Sequence, residues 1–116
     1  LSAYCGVVSA AAGAGAGITY LYGGKEKQIS DTIINTLANV SGIICDGASS
    51  SCAAKIASSV DAAIMASIMA REENVFETGD GIVKENLQKT IDGVVELARD
   101  GMKITDEVIL KIMVNE

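Results

Sequence analysis

Apolar side chains recur at helical spacing along most of the chain. The clearest run occupies Ile29, Ile33, Ile34, Leu37, Val40 and Ile44. Its intervals of 4, 1, 3, 3 and 4 residues place these side chains on one face of a helix. Ser30 or Asp31 is the expected N-cap, because a short polar side chain can accept hydrogen bonds from the amide groups of the first turn. The pattern predicts an amphipathic helix that packs on other helices.

Similar patterns predict four more helices. The first helix is expected to end at Gly23-Gly24, and the third is expected to begin at Ser50 or Ser51. The fourth is expected to span Ile82 to Ala98 with Asp80 as its N-cap, and the fifth is expected to have Thr105 as its N-cap. No segment sustains the period of two that marks a half-buried strand. The sequence therefore predicts an all-α protein of about five helices in a compact bundle without a sheet, forming a single domain over residues 1–116.

The third predicted helix has an apolar face of its own. The face consists of Cys52, Ile56, Val60, Ala63, Ile64 and Ile68. Because these positions recur every three or four residues, we expect their side chains to face the core.

The stretch from Leu1 to Gly24 carries no charged residue. About 20 apolar residues can cross a bilayer, and Gly13 and Gly17 form the G-x-x-x-G pattern of closely packed helices. Most of the stretch is Ala, Gly and Ser, however, and small residues also allow a helix to be buried inside a soluble bundle. We therefore expect a buried helix rather than a membrane span.

Composition narrows the class of protein further. The chain is 49% hydrophobic and 21% charged, which is typical of a globular protein. Its net charge of −6 argues against a nucleic-acid partner, because phosphate contacts need clustered Lys and Arg. The chain begins with Leu1 inside an apolar run, so we expect a fragment of a longer protein whose N-terminal part is missing.

Three cysteines and no histidine leave few kinds of site chemistry. Cys45 and Cys52 flank a glycine- and serine-rich turn, and Cys5 lies near the start of the chain. All three could be buried as small hydrophobic residues. A disulfide between Cys45 and Cys52 would leave one thiol over, and structural zinc normally takes four ligands. An iron–sulfur cluster suits thiols better, and three thiolate ligands would leave one iron open to a substrate.

The expected position of Cys52 is favourable for a metal ligand. A thiol in the first turn of a helix lies at the positive end of the helix dipole, which stabilises the thiolate that metal binding requires. This spacing is compatible with cluster binding but also with a cysteine in the core.

Several segments match a known family in the same order along the chain. They are Tyr4-Cys5-Gly6 with the tract that runs to Gly17-Ile18-Thr19-Tyr20-Leu21, Ser41-Gly42-Ile43-Ile44-Cys45-Asp46-Gly47-Ala48, the segment from Cys52 to Ala63, Gly79-Asp80-Gly81-Ile82-Val83, and Gly101-Met102-x-x-Thr105-Asp106. Together they resemble the C-terminal part of the L-cysteine desulfidase family, which is related to the α chain of iron–sulfur-dependent L-serine dehydratase.

The resemblance implies a cytoplasmic lyase with an oxygen-sensitive 4Fe–4S cluster. Such an enzyme eliminates sulfide from L-cysteine, or water from L-serine, and yields pyruvate and ammonia. Cys5, Cys45 and Cys52 match the three cluster-ligand positions of the family. The resemblance places the general base in the missing N-terminal part of the protein, so we expect the isolated chain to be inactive. It does not decide which of the two amino acids is the substrate or whether the protein forms a homo-oligomer.

One position departs from the family pattern. Family members often carry Lys in the turn after Cys-Asp-Gly-Ala, where this chain has Ser49. This departure leaves the substrate preference open. Lys55 is close by in sequence and is either a solvated or capping residue or a contact for a carboxylate. Asp46 is expected first as a turn residue. The alternative function is a non-catalytic helical module whose cysteines are buried or redox-labile.

Overall fold

The computed structural model describes residues 3–115 of the chain. Its helices are α1 (Gly6–Leu21), α2 (Glu26–Val40), α3 (Ser51–Arg71), α4 (Leu87–Glu96) and α5 (Lys103–Val114), with a π-helical turn at Leu97–Gly101 between the last two. Within residues 3–115 the only extended pairing is an isolated antiparallel bridge, so no sheet is present. The all-α prediction with five helices is confirmed.

Small side chains let α1, α2 and α3 pack closely together. A Cβ atom on Gly15 of α1 would lie 3.1 Å from both Cβ and the carbonyl oxygen of Ala63 on α3, and 3.2 Å from Cγ2 of Thr32 on α2. A larger residue at this crossing would require the neighbouring atoms of Ala63 and Thr32 to move by a few tenths of an ångström. The Ala- and Gly-rich composition of the first segment is therefore explained by helix packing.

The predicted buried face of α3 is wrong. Ile56, Ile64 and Ile68 are 49%, 40% and 45% exposed, respectively. Of the predicted face only Ala63 is buried, and the other buried residues of α3 are Ser59, Ala62, Ala66, Ser67 and Ala70. Close approach of α1 and α2 favours small residues on the inner face, and this requirement overrides the tendency of isoleucine to be buried.

Hydroxyl groups tie the three helices together inside the protein. Thr19 Oγ1 on α1 lies 2.7 Å from Thr32 Oγ1 on α2 and 2.7 Å from Ser67 Oγ on α3. All three residues are fully buried. Because each hydroxyl has a partner, the helices can approach closely through polar residues without leaving these groups unsatisfied.

The limits of two helices differ from their predicted positions. Helix α2 begins at Glu26 rather than after Ser30 or Asp31, and the Lys25 backbone N–H donates to Gln28 Oε1 at 2.8 Å. Helix α4 begins at Leu87, where Asn86 Oδ1 accepts the Lys89 backbone N–H at 2.8 Å. In both places the start of the helix is fixed by a hydrogen bond between a polar side chain and the backbone. The spacing of apolar residues does not reveal such a hydrogen bond.

Of the other predicted helix limits, some are confirmed and some are wrong. Gly23 has a φ of +85°, which ends α1 as predicted, and α3 starts at Ser51 as predicted. Thr105 is not the cap of α5, because the helix already begins at Lys103. The segment from Ile82 to Asn86 lies outside α4.

Helix α3 is the one described helix that is long and apolar enough to cross a membrane, by length and composition alone. Its inner face packs on α1 and α2. Helix α1, which lies within the uncharged stretch from Leu1 to Gly24, has 16 residues and buries Val8, Ala11, Ala12, Gly15 and Thr19. Leu1 and Ser2 lie outside the described residues.

Candidate functional site: three cysteines and Lys55

A short antiparallel pairing joins the start of the chain to the loop after α2. Tyr4 and Ile44 form the bridge. The Cys45 backbone N–H donates to the Ala3 carbonyl oxygen at 2.5 Å, and the Cys5 backbone N–H donates to the Ile43 carbonyl oxygen at 3.1 Å. Residues that are 40 positions apart in sequence are thereby held side by side.

The pairing places Cys5 and Cys45 at one location. Side chains alternate between the two faces of extended backbone, so Cys5 and Cys45, each one residue past the bridged pair, belong to the same face. Cys5 also stands directly before α1 and is 6% exposed, whereas Cys45 is exposed.

Cys52 approaches the same loop from α3. It is the second residue of that helix, and its Sγ donates to the Gly47 carbonyl oxygen at 3.5 Å. Gly47 has a φ of +91°, a conformation that residues with a side chain rarely adopt. This glycine allows the loop after Cys45 to turn toward the N-terminus of α3.

Lys55 connects the loop with α3. Its side chain is 19% exposed, and its Nζ donates to Asp46 Oδ1 at 2.5 Å and to the Ile44 carbonyl oxygen at 3.0 Å. The pKa of Lys55 is raised, chiefly by the hydrogen bond to Asp46 and further by the negative charge of that carboxylate. The same hydrogen bond lowers the pKa of Asp46.

Helix α5 covers the other side of this region. Met102 and Ile109 form a buried apolar cluster with Ala3, and Tyr4 packs against it. The Tyr4 hydroxyl group and Ser41 Oγ are 3.1 Å apart, within hydrogen-bond distance. The paired segments are therefore held by α5 as well as by their own backbone hydrogen bonds.

The donor atoms fit an iron–sulfur cluster by type, because the three cysteines are free thiols and thiolates are the usual ligands of such clusters. Among residues 3–115, no group of three Cys, Asp or Glu side chains is arranged to hold a metal ion. The structure thus pairs the backbone segments of Cys5 and Cys45 and brings Cys52 against the loop that follows Cys45, but it does not arrange the three thiols as a finished ligand set.

The sequence left Lys55 open between a solvated or capping residue and a contact for a carboxylate. A solvated lysine is ruled out by its low exposure and its two hydrogen bonds. The spacing of three residues from Cys52, which puts both side chains on neighbouring positions of a helix, was the available signal. Ser49, which stands where the family often has Lys, is exposed, and its hydroxyl lies 2.7 Å from Ser51 Oγ.

Two apolar cavities lie close to α1 but contain no cysteine. One, of about 320 Å³, lies between α1, α2 and α4 and has no charged residue in its lining. The other, of about 350 Å³, is a groove between α1 and α3 lined by Val7, Ala10, Ala11, Ala14, Ile56 and Val60. Neither lining has a charged group that would pair with the carboxylate or ammonium group of a small amino acid, so we do not assign them to the site.

Residues 1–111 match the family described as the serine dehydratase alpha chain. The chain therefore belongs to the serine dehydratase alpha chain family. It is 74% identical over 115 residues to a UPF0597 protein of Lachnoclostridium phytofermentans and 53% identical over 116 residues to a UPF0597 protein of Treponema denticola. These matches cover 99% and 100% of the chain, respectively. No solved structure matches the chain.

The chain spans little more than a quarter of the relatives that it matches, since the two alignments cover 28% and 27% of their lengths. It is also 40% identical over 116 residues to a UPF0597 protein of Porphyromonas gingivalis, where it covers 100% of this chain and 27% of the relative. The family membership supports a subunit or part of a serine dehydratase-like protein.

Proposed function

We propose that this chain is the cluster-binding part of a cytoplasmic 4Fe–4S-dependent lyase that acts on L-cysteine or L-serine. Cys5, Cys45 and Cys52 would hold the cluster as thiolates. The product of the elimination is pyruvate with ammonia, after release of sulfide or water. The proposal extends the family membership to a particular cofactor, set of ligands and class of substrate.

The observation that carries the proposal is the pairing of Ala3–Cys5 with Ile43–Cys45. It brings Cys5 to the loop that also approaches Cys52. Burial of a single cysteine in the core does not require a backbone pairing between segments 40 residues apart, whereas a ligand site shared by several cysteines requires such an approach. Lys55 contacts both neighbours of Cys45 and would offset part of the negative charge of several thiolates, which would otherwise repel each other.

The bound cluster would supply a Lewis acid to the leaving group of the substrate. The chain itself contributes the remaining local features. The Cys52 amide group lies at the start of α3, where the helix dipole favours negative charge, and Lys55 places a positive charge next to the thiols. Within the described residues we assign no side chain as the base that removes the α proton, and we place that base in another part of the longer protein.

A second candidate function is a helical module without catalysis, whose thiols are core residues or react with oxidants. The burial of Cys5 and the lack of a finished metal site within residues 3–115 favour it. Exposed Cys45 would then be the oxidation-prone thiol of the module. Iron content separates the two functions.

The deciding experiment is anaerobic reconstitution followed by measurement of iron and acid-labile sulfide. It should be done on this chain and on the longer protein that contains it, with Cys45→Ser as the ligand variant and Ser49→Ala as a matched control in the same loop. We expect a stoichiometric cluster in the parent protein, loss of it in Cys45→Ser and retention in Ser49→Ala. A longer protein that takes up no cluster would leave the helical module as the function.

Activity should depend on the longer protein. We expect sulfide release from L-cysteine, or ammonia release from L-serine, by the cluster-loaded longer protein and none by the isolated chain. Robust turnover by the isolated chain would contradict the assignment of the base to another part of the protein. Size-exclusion chromatography with light scattering would show whether the protein forms a homo-oligomer.

A further inference from the structure

The Lys55 side chain forms hydrogen bonds with both residues that flank Cys45 in the chain. Its Nζ donates to the carbonyl oxygen of Ile44 at 3.0 Å and to the carboxylate of Asp46 at 2.5 Å. Lys55 itself lies on α3, one helical turn after Cys52. The side chain therefore connects the backbone that carries Cys45 with the helix that carries Cys52.

The direct contact of Cys52 with the loop cannot replace this connection once the thiol is ionised. In the described structure Cys52 Sγ donates to the carbonyl oxygen of Gly47 at 3.5 Å. A thiolate has no proton to donate, and metal ligation requires the thiolate. Ligation by Cys52 would thus remove this hydrogen bond, whereas both hydrogen bonds of Lys55 remain.

The positive charge of Lys55 is placed where the site gathers negative charge. Its ammonium group is paired with the Asp46 carboxylate, and Lys55 lies one helical turn after Cys52, so it would attract a thiolate formed there. The side chain is 19% exposed, so water and salt screen these interactions less than they would at an open surface. Three thiolates close to Asp46 would repel one another without a nearby cation.

We propose that Lys55 is the positioning residue of the three-cysteine site. It holds the Cys45 segment against α3 and offsets the charge that develops when the cysteines become thiolates. This inference rests on the proposed function. Two of the three N–H donors of Lys55 are bound to the protein, so we assign the residue to the ligand set rather than to recognition of a substrate carboxylate.

Three variants test this role in the longer protein that contains the chain. Lys55→Met removes the charge and the donors but keeps a long apolar stem, and Lys55→Arg keeps the charge and several donors. Lys84→Met is the matched control, because Lys84 is exposed and lies outside the cysteine region. Two quantities are measured: hydrogen exchange at the Cys45 amide in metal-free protein, and iron per chain after anaerobic reconstitution.

We expect Lys55→Met to speed exchange at the Cys45 amide several-fold and to lower the iron content several-fold. The Cys45 amide is the reporter because it is bonded to the Ala3 carbonyl oxygen across the pairing. Lys55→Arg should restore most of both quantities, and Lys84→Met should change neither. A rescue by Arg distinguishes positioning through charge and donors from simple filling of space.

The proposal would be overturned if the Lys55→Met variant showed the same hydrogen exchange at the Cys45 amide and the same iron content as the unsubstituted protein. An arginine variant that behaves like the methionine variant would also overturn it, because it shows that charge and hydrogen bonding are not what the site uses. A rise in KM for the amino acid with exchange and iron unchanged would assign Lys55 to the substrate instead. If the parent takes up no iron, the proposed function fails, and exchange at Cys45 still decides whether Lys55 positions the loop.

Discussion

The methyl group of Met113 on α5 lies 2.8 Å from the position that a Cβ atom would take on Gly47. Gly47 also has a φ of +91°, so the loop between Cys45 and Cys52 depends on glycine for two separate reasons. The backbone conformation is the stronger reason, because the end of a methionine side chain is flexible and can move aside.

The substitution Gly47→Ala should therefore destabilise the protein by about 1–2 kcal/mol, which is the usual cost of a left-handed conformation for a residue with a side chain. Urea denaturation measures the change. Adding Met113→Ala to the Gly47→Ala variant should recover little of the loss. Recovery of most of it would show that the contact with Met113, rather than φ, is the constraint.

Two glycines of α1 should respond in opposite ways to alanine. Gly15→Ala should destabilise the protein by roughly 1 kcal/mol, because the new methyl group meets the backbone and Cβ of Ala63 at 3.1 Å and overpacking outweighs the gain in helix propensity. Nothing lies within 4 Å of a Cβ on Gly13, so Gly13→Ala should stabilise it by about 0.5–1 kcal/mol. Thermal or urea unfolding of the two variants measures the sign of each change in the free energy of unfolding. Equal effects would mean that the close crossing of α1 and α3 is not maintained in solution.

Ser59 and Ser67, both fully buried on α3, should also differ on substitution by alanine. Ser59 Oγ has no hydrogen-bond partner among the described residues, so Ser59→Ala should be neutral or stabilise the protein by up to about 1 kcal/mol. Ser67→Ala removes one of the two partners of Thr19 Oγ1 and the acceptor of the Arg71 Nε–H group, and it should destabilise the protein by about 1–2 kcal/mol. Denaturation midpoints of the two variants provide the test. A marked loss of stability in Ser59→Ala would indicate that its hydroxyl has a partner in solution.

Stability should fall at alkaline pH because of Tyr4. Burial raises the pKa of its phenol, the Cys5 thiolate raises it further, and the hydrogen bond with Ser41 acts in the opposite direction. The folded protein therefore holds the phenolic proton more tightly than the unfolded chain. The contribution is fully present below the unfolded value of about 10 and is lost as the pH rises through the higher folded pKa.

The Tyr4→Phe variant is the control for this pH dependence. Phenylalanine cannot ionise, so the difference in unfolding free energy between the parent and the variant should shrink as the pH rises past about 10. Groups that do not interact with Tyr4 contribute equally in both proteins and cancel in the comparison. A difference that stays constant with pH would contradict the raised pKa of Tyr4.

The local sequence determined much of the helical architecture. Helical spacing of apolar residues is a property of neighbouring positions, and it was enough to predict five helices and the start of α3 at Ser51. Glycine at a positive φ is likewise a local requirement, and Gly23 ends α1 as predicted. The order of the family motifs along the chain also correctly indicated the serine dehydratase alpha chain family.

The tertiary structure decided which faces are buried and what meets at the cysteines. Isoleucines on α3 stay exposed because the inner face must be small enough for α1 and Gly15 to approach. The bridge between Tyr4 and Ile44 joins positions that are distant in sequence, and no local period encodes such a pairing. The hydrogen bonds of Lys55 around Cys45 likewise depend on the approach of α3 to the loop. Spacing along one chain describes single elements, whereas these contacts arise from the free energy of packing several elements together.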